Sequence, residues 1–406
     1  MSEGKKPIVD VSYSYNVLEE SLELLSNRKD LFIGIPCELH YQEKRVPLTP
    51  AAVSVLVNNG HKVYIETKSG TGASYDDTDF SEAGAKICYS KKEVFDADTI
   101  IKTAPISDEE LEYLKPKQKV LSPLHLPIMS KQHLQKCLDK QIVGISLADI
   151  KDENDNYPIV QSMSQIAGVY AIQAAANLLN TNNGGRGILL GGVTGVPPTR
   201  VVILGAGLVA LHAARAAIGL GANVQVFDTS VNRLMRLQND LHQNIYTSIL
   251  NNVFFQNALS KADVLIGAVK PKRGVVPMIV TEENVQQMKN GSVIIDVNID
   301  KGGCIETSQM TSHQQPTFTK YGVTHYCVPN MASGVPRTAS QMISNIIMPL
   351  VLDAFNNEGG FSRMILNKRN IIHAVYAYEG KLTHKSLADR FDMKYTHLDL
   401  ILPSNY

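Results

Sequence analysis

The chain has 406 residues, 44% of them apolar and 19% charged, and its 39 basic side chains equal its 39 acidic ones. This is a globular rather than a disordered composition, and the balanced charge gives no basis for a nucleic-acid or anionic-membrane partner. No apolar run reaches the roughly eighteen residues of a membrane span, and the N-terminus lacks the apolar stretch of a signal peptide.

Five scattered cysteines (Cys37, Cys88, Cys137, Cys304, Cys327) form no CxxC pair and show no metal-ligand spacing, which fits reduced thiols in a cytoplasmic protein. At about 150 residues per domain the length predicts two to three domains.

In chain order, residues 1–30 read as an extension. Within it, Leu18, Leu22 and Leu25 at helical spacing predict one short amphipathic helix over 16–27. From Leu31 strands and helices alternate. Residues 31–36 form an apolar strand, and Thr49-Pro50 carries the cap and first-turn proline of a helix. Residues 62–66, 98–102, 120–122 and 142–146 are further strands of an α/β domain with a mostly parallel sheet.

An alanine-rich helix is predicted over 163–179, then a polar, glycine-rich turn over 180–187. A second alternating series has strands at 200–204, 223–227, 264–267 and 292–297. A helix follows Gln341 to about Asn356, and the C-terminal tail reads as polar and helical. Two alternating series predict two Rossmann-like, doubly wound domains with a cleft between them.

The segment from Arg200 to Ala210 carries a chemical signature. An apolar strand enters a turn with Gly205 and Gly207, and an alanine-rich helix leaves it. The first glycine allows the tight turn, and the second lets backbone approach a pyrophosphate at the helix N-terminus. Ala210 stands where a third glycine often sits. Asp228, 23 residues after Gly205, sits where an acidic residue binds the adenine ribose and repels a 2′-phosphate. This favours NAD, with Arg233 nearby as a contrary cation. The bland alternative is a glycine turn and a loop aspartate with no ligand.

Longer blocks carry a family resemblance. They are residues 33–38 (Ile-Gly-Ile-Pro-Cys-Glu) with 43–50 (Glu-Lys-Arg-Val-Pro-Leu-Thr-Pro), 121–126 around His125, 163–168, 191–197, and the region from Gly291 to Thr338 with Asp296–Thr307 and Tyr326–Met331. Across residues 31–385 the chain resembles the alanine dehydrogenase family, which is related to the NAD-binding subunit of transhydrogenase.

The resemblance implies two Rossmann-like domains. Residues 31–160 plus 341–406 would form a discontinuous substrate domain and 161–340 the NAD-binding domain. It also implies a homo-oligomer, often a hexamer, that converts L-alanine to pyruvate and ammonium.

By the same resemblance Arg45 binds the substrate carboxylate, for which its planar fork is suited. His125 transfers protons, as the ordinary imidazole pKa allows, and Asp300 works beside it. Asn330 is a substrate contact, while Ser164, Val269 and Met331 join Gly205, Gly207, Ala210, Asp228 and Arg233 around the cofactor. Structural alternatives are a surface arginine, a core histidine, a turn aspartate before Gly302-Gly303 and a packed methionine.

Lys102 departs from the pattern. Family members carry Lys-x-Lys-Glu-Pro, whereas residues 101–105 read Ile-Lys-Thr-Ala-Pro, leaving one lysine as the candidate substrate cation. Pro123 and Gln165 also replace an aromatic residue and a glutamate. Other readings remain: a transhydrogenase-like NAD(H)-binding subunit, a dehydrogenase of another small 2-oxo or 2-amino acid, or an NAD-sensing binding protein.

Overall fold

The computed structural model describes residues 30–38, 42–124, 129–270, 276–356 and 360–402. The helix expected over 16–27 lies outside these residues, as does His125. Strands are numbered here in chain order.

The first sheet begins with β1 (Phe32–Ile35), β2 (Lys62–Glu66), β3 (Lys86–Cys88), β4 (Thr99–Ile101), β5 (Lys119–Ser122) and β6 (Val143–Ser146). The second sheet is built from β7 (Arg200–Leu204), β8 (Asn223–Asp228), β9 (Tyr246–Ile249), β10 (Val264–Gly267), β11 (Val293–Asp296), β12 (Thr317–Lys320) and β13 (Val323–Tyr326). The chain then returns to the first sheet with β14 (Val375–Tyr378) and β15 (Lys381–Leu382).

The first sheet runs β15-β14-β6-β5-β4-β1-β2-β3 and the second β12-β13-β11-β10-β7-β8-β9. Both are mixed. The β12–β13, β14–β6 and β14–β15 pairs are antiparallel, and the rest are parallel. In each sheet the strand order reverses at the first strand, between β1 and β4 and between β7 and β10. Such a reversal opens a crevice at the carboxyl ends of the strands.

The inner strands are buried on both faces, so they read as continuous apolar runs rather than alternating ones. Val201 to Leu204 are all at most 1% exposed. Two 21-residue helices link the sheets. Pro158–Leu178 starts on a proline, which costs nothing in the first turn because that N–H has no helical partner. It packs closely on Leu208–Gly219, where a Cβ on Gly168 would lie 2.5 Å from the Val209 carbonyl oxygen. Helix Pro336–Asn356 returns the chain and buries Ile343, Ile347, Leu350 and Val351 in the first sheet's core.

The C-terminal tail is helical over Gly360–Asn367, Arg369–Ile372 and Lys385–Phe391, but it also departs from the helical reading. Val375 to Tyr378 are all buried, and this run adds a strand between β6 and β15. Among the described residues no helix is long and apolar enough to cross a membrane.

Two buried ionisable groups on strands of the second sheet oppose each other with pH. Burial pushes the Asp296 carboxyl from its ordinary 3.8 up to about 6, despite a hydrogen bond from the Cys304 amide at 3.2 Å. His325 donates from Nδ1 to the Val323 carbonyl at 3.0 Å and accepts from the Thr307 hydroxyl at Nε2, 2.7 Å. Burial lowers its pKa.

The raised Asp296 pKa means that the folded state holds a proton the unfolded chain has released. The stability from this group is therefore complete below about 4 and lost as pH rises through about 6. His325 acts oppositely, losing stability as pH falls through its ordinary range. Urea unfolding of wild type and Asp296→Asn should show wild type losing stability relative to the variant between pH 4 and 7, by at most about 3 kcal/mol. Parallel pH profiles would refute this.

Candidate active site

A cleft of about 280 Å³ lies between the two sheets. Arg45 and Thr103 line it from the first sheet, Met163 and Ser164 from the Pro158–Leu178 helix, and Asp300 and Asn330 from the second. Arg45 reaches it on the loop after β1, and Thr103 follows β4, so both stand at the first sheet's switch point. Asp300 lies in a short turn after β11. Asn330, at φ 53°, opens the turn Met331–Gly334.

Arg45 is almost wholly buried and held by Glu43. Glu43 Oε1 accepts from the Arg45 backbone amide at 3.0 Å and from Nε at 2.6 Å, while Oε2 accepts from Nη2. Asn330 Nδ2 also donates to Oε2, at 3.1 Å. Burial opposes ionisation of Glu43, but the guanidinium outweighs it and holds the carboxyl below its ordinary pKa. One edge of the guanidinium fork is thus occupied. Nη1 lies 3.2 Å from the Met163 sulfur, a weak acceptor, so the Nη1/Nη2 edge keeps donors for a carboxylate.

The loop is moored elsewhere by hydroxyls. Ser333 accepts from the Lys44 amide at 2.8 Å, Ser340 from Val46 at 2.9 Å and Ser344 from Thr49 at 3.1 Å.

Lys102 is not in this cleft, which corrects its expected substrate role. It is 1% exposed, with Nζ 2.8 Å from Glu38 and 2.7 Å from Glu110. Burial alone would lower its pKa, but the two carboxylates outweigh burial and raise it. Glu38 also accepts from the Thr103 amide at 2.7 Å and the Thr103 hydroxyl at 2.9 Å. Lys102 therefore pins the β1 and β4 ends together, and Thr103 is the residue that faces the cleft.

A second cavity, of about 230 Å³, lies at the other switch point, lined by Gly205, Gly207, Asp228, Arg233 and Val269. Gly205 has φ +96°, and a Cβ there would sit 2.5 Å from the Ala268 carbonyl oxygen. At Gly207, the N-cap of the 12-residue helix Leu208–Gly219, a Cβ would meet nothing within 4 Å. That open space beside unpaired helix N–H groups is what a pyrophosphate requires. Val209, two residues on, lines the substrate cleft, so the two cavities adjoin.

Two cofactor expectations change in detail. Ala210 is fully buried and packs the helix rather than facing a ligand. Asp228 already braces the glycine turn, with Oδ2 accepting from the Ala206 amide at 2.8 Å. Its Oδ1 accepts from Arg233 Nε at 3.0 Å and Nη2 at 2.6 Å. Met331 is buried and lines the substrate cleft, as does Ser164. Sequence reasoning missed Glu43, Thr103 and Asn298. Only Glu43 had a visible signal, as an acidic residue two positions before Arg45.

Replacing Lys102 with methionine would leave Glu38 buried without its cation and Glu110 with only Lys91, 3.9 Å away. Lys102→Met should lose about 3–5 kcal/mol of unfolding free energy in urea, and near-wild-type stability would break this assignment. Gly205→Ala should weaken NADH binding at least about tenfold by fluorescence titration, since the strained φ and the close carbonyl both oppose a methyl group. Unchanged binding would show the turn to be adaptable.

Two family models match the chain in order. Alanine dehydrogenase/PNT, N-terminal domain, covers residues 34–167, and the corresponding C-terminal domain covers 171–385. The chain is 37% identical over 368 residues to alanine dehydrogenase 2 of Staphylococcus aureus (strain USA300), covering 90% of this chain and 98% of that protein. A solved L-alanine dehydrogenase superposes with TM-score 0.81 at 36% identity, covering 89% of this chain and 99% of the other. A transhydrogenase from Sinorhizobium meliloti shares the fold, with TM-score 0.72 at 21% identity over 87% of this chain and 99% of that one. Matched along most of its length by the two family models, by a relative and by a solved structure, the chain belongs to the alanine dehydrogenase/PNT family.

Proposed function

We propose that the chain catalyses the reversible, NAD-dependent oxidative deamination of L-alanine, with water, to pyruvate and ammonium. The observation that carries this reading is the adjoining pair of cavities. One offers a half-occupied arginine fork beside a carboxylate, and the other is a glycine-turn cradle at a helix N-terminus. The relatives named alanine dehydrogenase support the same reading.

The open Nη1/Nη2 edge of Arg45 takes the substrate carboxylate, which orients the α-carbon. Asn330, tethered through Glu43 to the same arginine, fixes the distance between that carboxylate and the second sheet. Gly205 and Gly207 would hold NAD, which when bound would supply the hydride acceptor for the α-carbon. His125 serves as the acid/base residue, taking a proton from the water that adds to the resulting imine and returning one to the departing ammonia. The Asp300 carboxylate in the cleft stabilises the positive charge that develops on nitrogen and on the imidazole. Ser164 and Met331 would line the nicotinamide side from the cleft, and Val269 and Asp228 would contact the cofactor in the adjoining cavity.

The same reading extends to a cytoplasmic homo-oligomer, up to a hexamer, in which the five unpaired cysteines stay reduced.

The test is NADH oxidation followed by absorbance with pyruvate and ammonium at mildly alkaline pH, where enough free ammonia is present. Wild type should turn over, His125→Ala should lose at least about a hundredfold in kcat, on the usual scale of general acid–base catalysis, and NADPH should be a poor substitute. NADH binding without turnover of pyruvate and ammonium would overturn the alanine assignment.

A further inference from the structure

Two cations of the first sheet are already matched in charge. Arg45, in the cleft, is paired with Glu43, and Lys102, outside it, lies between Glu38 and Glu110. A 2-oxo acid nevertheless brings a carboxylate and a carbonyl oxygen that gains negative charge as hydride arrives. With Arg45 countered by Glu43, and with Asp300 adding a negative charge, the cleft needs another cation to hold such a substrate well.

Lys301 fits that need. It lines the cleft with Arg45, Asp300 and Asn330, and its side chain makes no ion pair or hydrogen bond recorded among the described residues. Its backbone, by contrast, is fixed. The turn Ile299–Lys301 closes with the Lys301 amide donating to the Asn298 carbonyl at 3.0 Å, and the Lys301 carbonyl accepts from the Val276 amide at 3.1 Å. Asn298 in turn donates to the Val269 carbonyl at 2.9 Å, tying this turn to the dinucleotide crevice. An ammonium without an ion pair among the described residues is thus carried on a fixed backbone at the cleft.

We propose that Lys301 is a substrate-binding residue that holds the oxygens of a small 2-oxo acid together with Arg45, and that it supplies the cation Lys102 cannot. This rests on the alanine dehydrogenase reading of the cleft, and the test separates the two. Full-length protein saturated with NADH is titrated with pyruvate, and separately with oxalate, which cannot accept a hydride, following NADH fluorescence.

Lys301→Gln should raise both dissociation constants at least about tenfold, the scale of one charge-assisted hydrogen bond. It should leave the NADH dissociation constant within about twofold. Lys301→Arg should recover most of the loss. Because Lys301 is exposed, unfolding midpoints should match wild type. Pyruvate and oxalate binding by Lys301→Gln within twofold of wild type overturns the proposal, whatever the turnover. Lysine-dependent binding without ammonium-dependent turnover upholds it while breaking the alanine assignment.

Discussion

Much of the cleft depends on one buried carboxylate. Glu43 receives three donors from Arg45 and one from Asn330, so it joins a loop of the first sheet to a turn of the second. Burying an ion pair is costly unless its remaining lone pairs are satisfied, and here the backbone amide and the asparagine satisfy them. The result is an arginine whose rotamer is set before any substrate arrives and whose free edge points where only a planar anion makes two bonds. The ordering cost is met in folding rather than in binding.

A second charged cluster has a different duty. Glu38, Lys102 and Glu110 hold the ends of β1 and β4 together at the place where an open α/β sheet admits a ligand. The two sheets therefore furnish the same topological opening differently. In the second it is lined by glycines. In the first a buried charge cluster lies beside it, and Thr103 and Arg45 line the cleft.

Much of this was legible in the residues. Val201 to Leu204 and Val293 to Asp296 are fully buried runs, and such strands announce themselves by unbroken hydrophobicity. The glycine turn was legible because its chemistry is local: a positive φ at Gly205 and empty space at Gly207 follow from residue type. What was hidden is non-local. The fate of Lys102 depends on Glu38, 64 positions earlier, and on a glutamate from a later helix, which spacing does not reveal. Asp228 was placed by its distance from the glycines, but its engagement with the Ala206 amide and Arg233 depends on how β8 ends. The strands β14 and β15 were read as helical because short strands beside polar residues have little periodicity of their own.

The hydroxyl bonds from Ser333, Ser340 and Ser344 to the Arg45 loop have a mechanical consequence. Each is modest, but they lie in a row along one segment and act with the Glu43–Asn330 link. Prying the loop from that segment would unfasten them in sequence, like a zip, and water can replace each hydroxyl as it is released. Small excursions of the loop thus meet stiff resistance, whereas full separation proceeds through graded steps. The Arg45 loop is accordingly fastened to the Asn330 turn through Ser333 and Glu43, and through Ser340 and Ser344 to the helix packed on the first sheet.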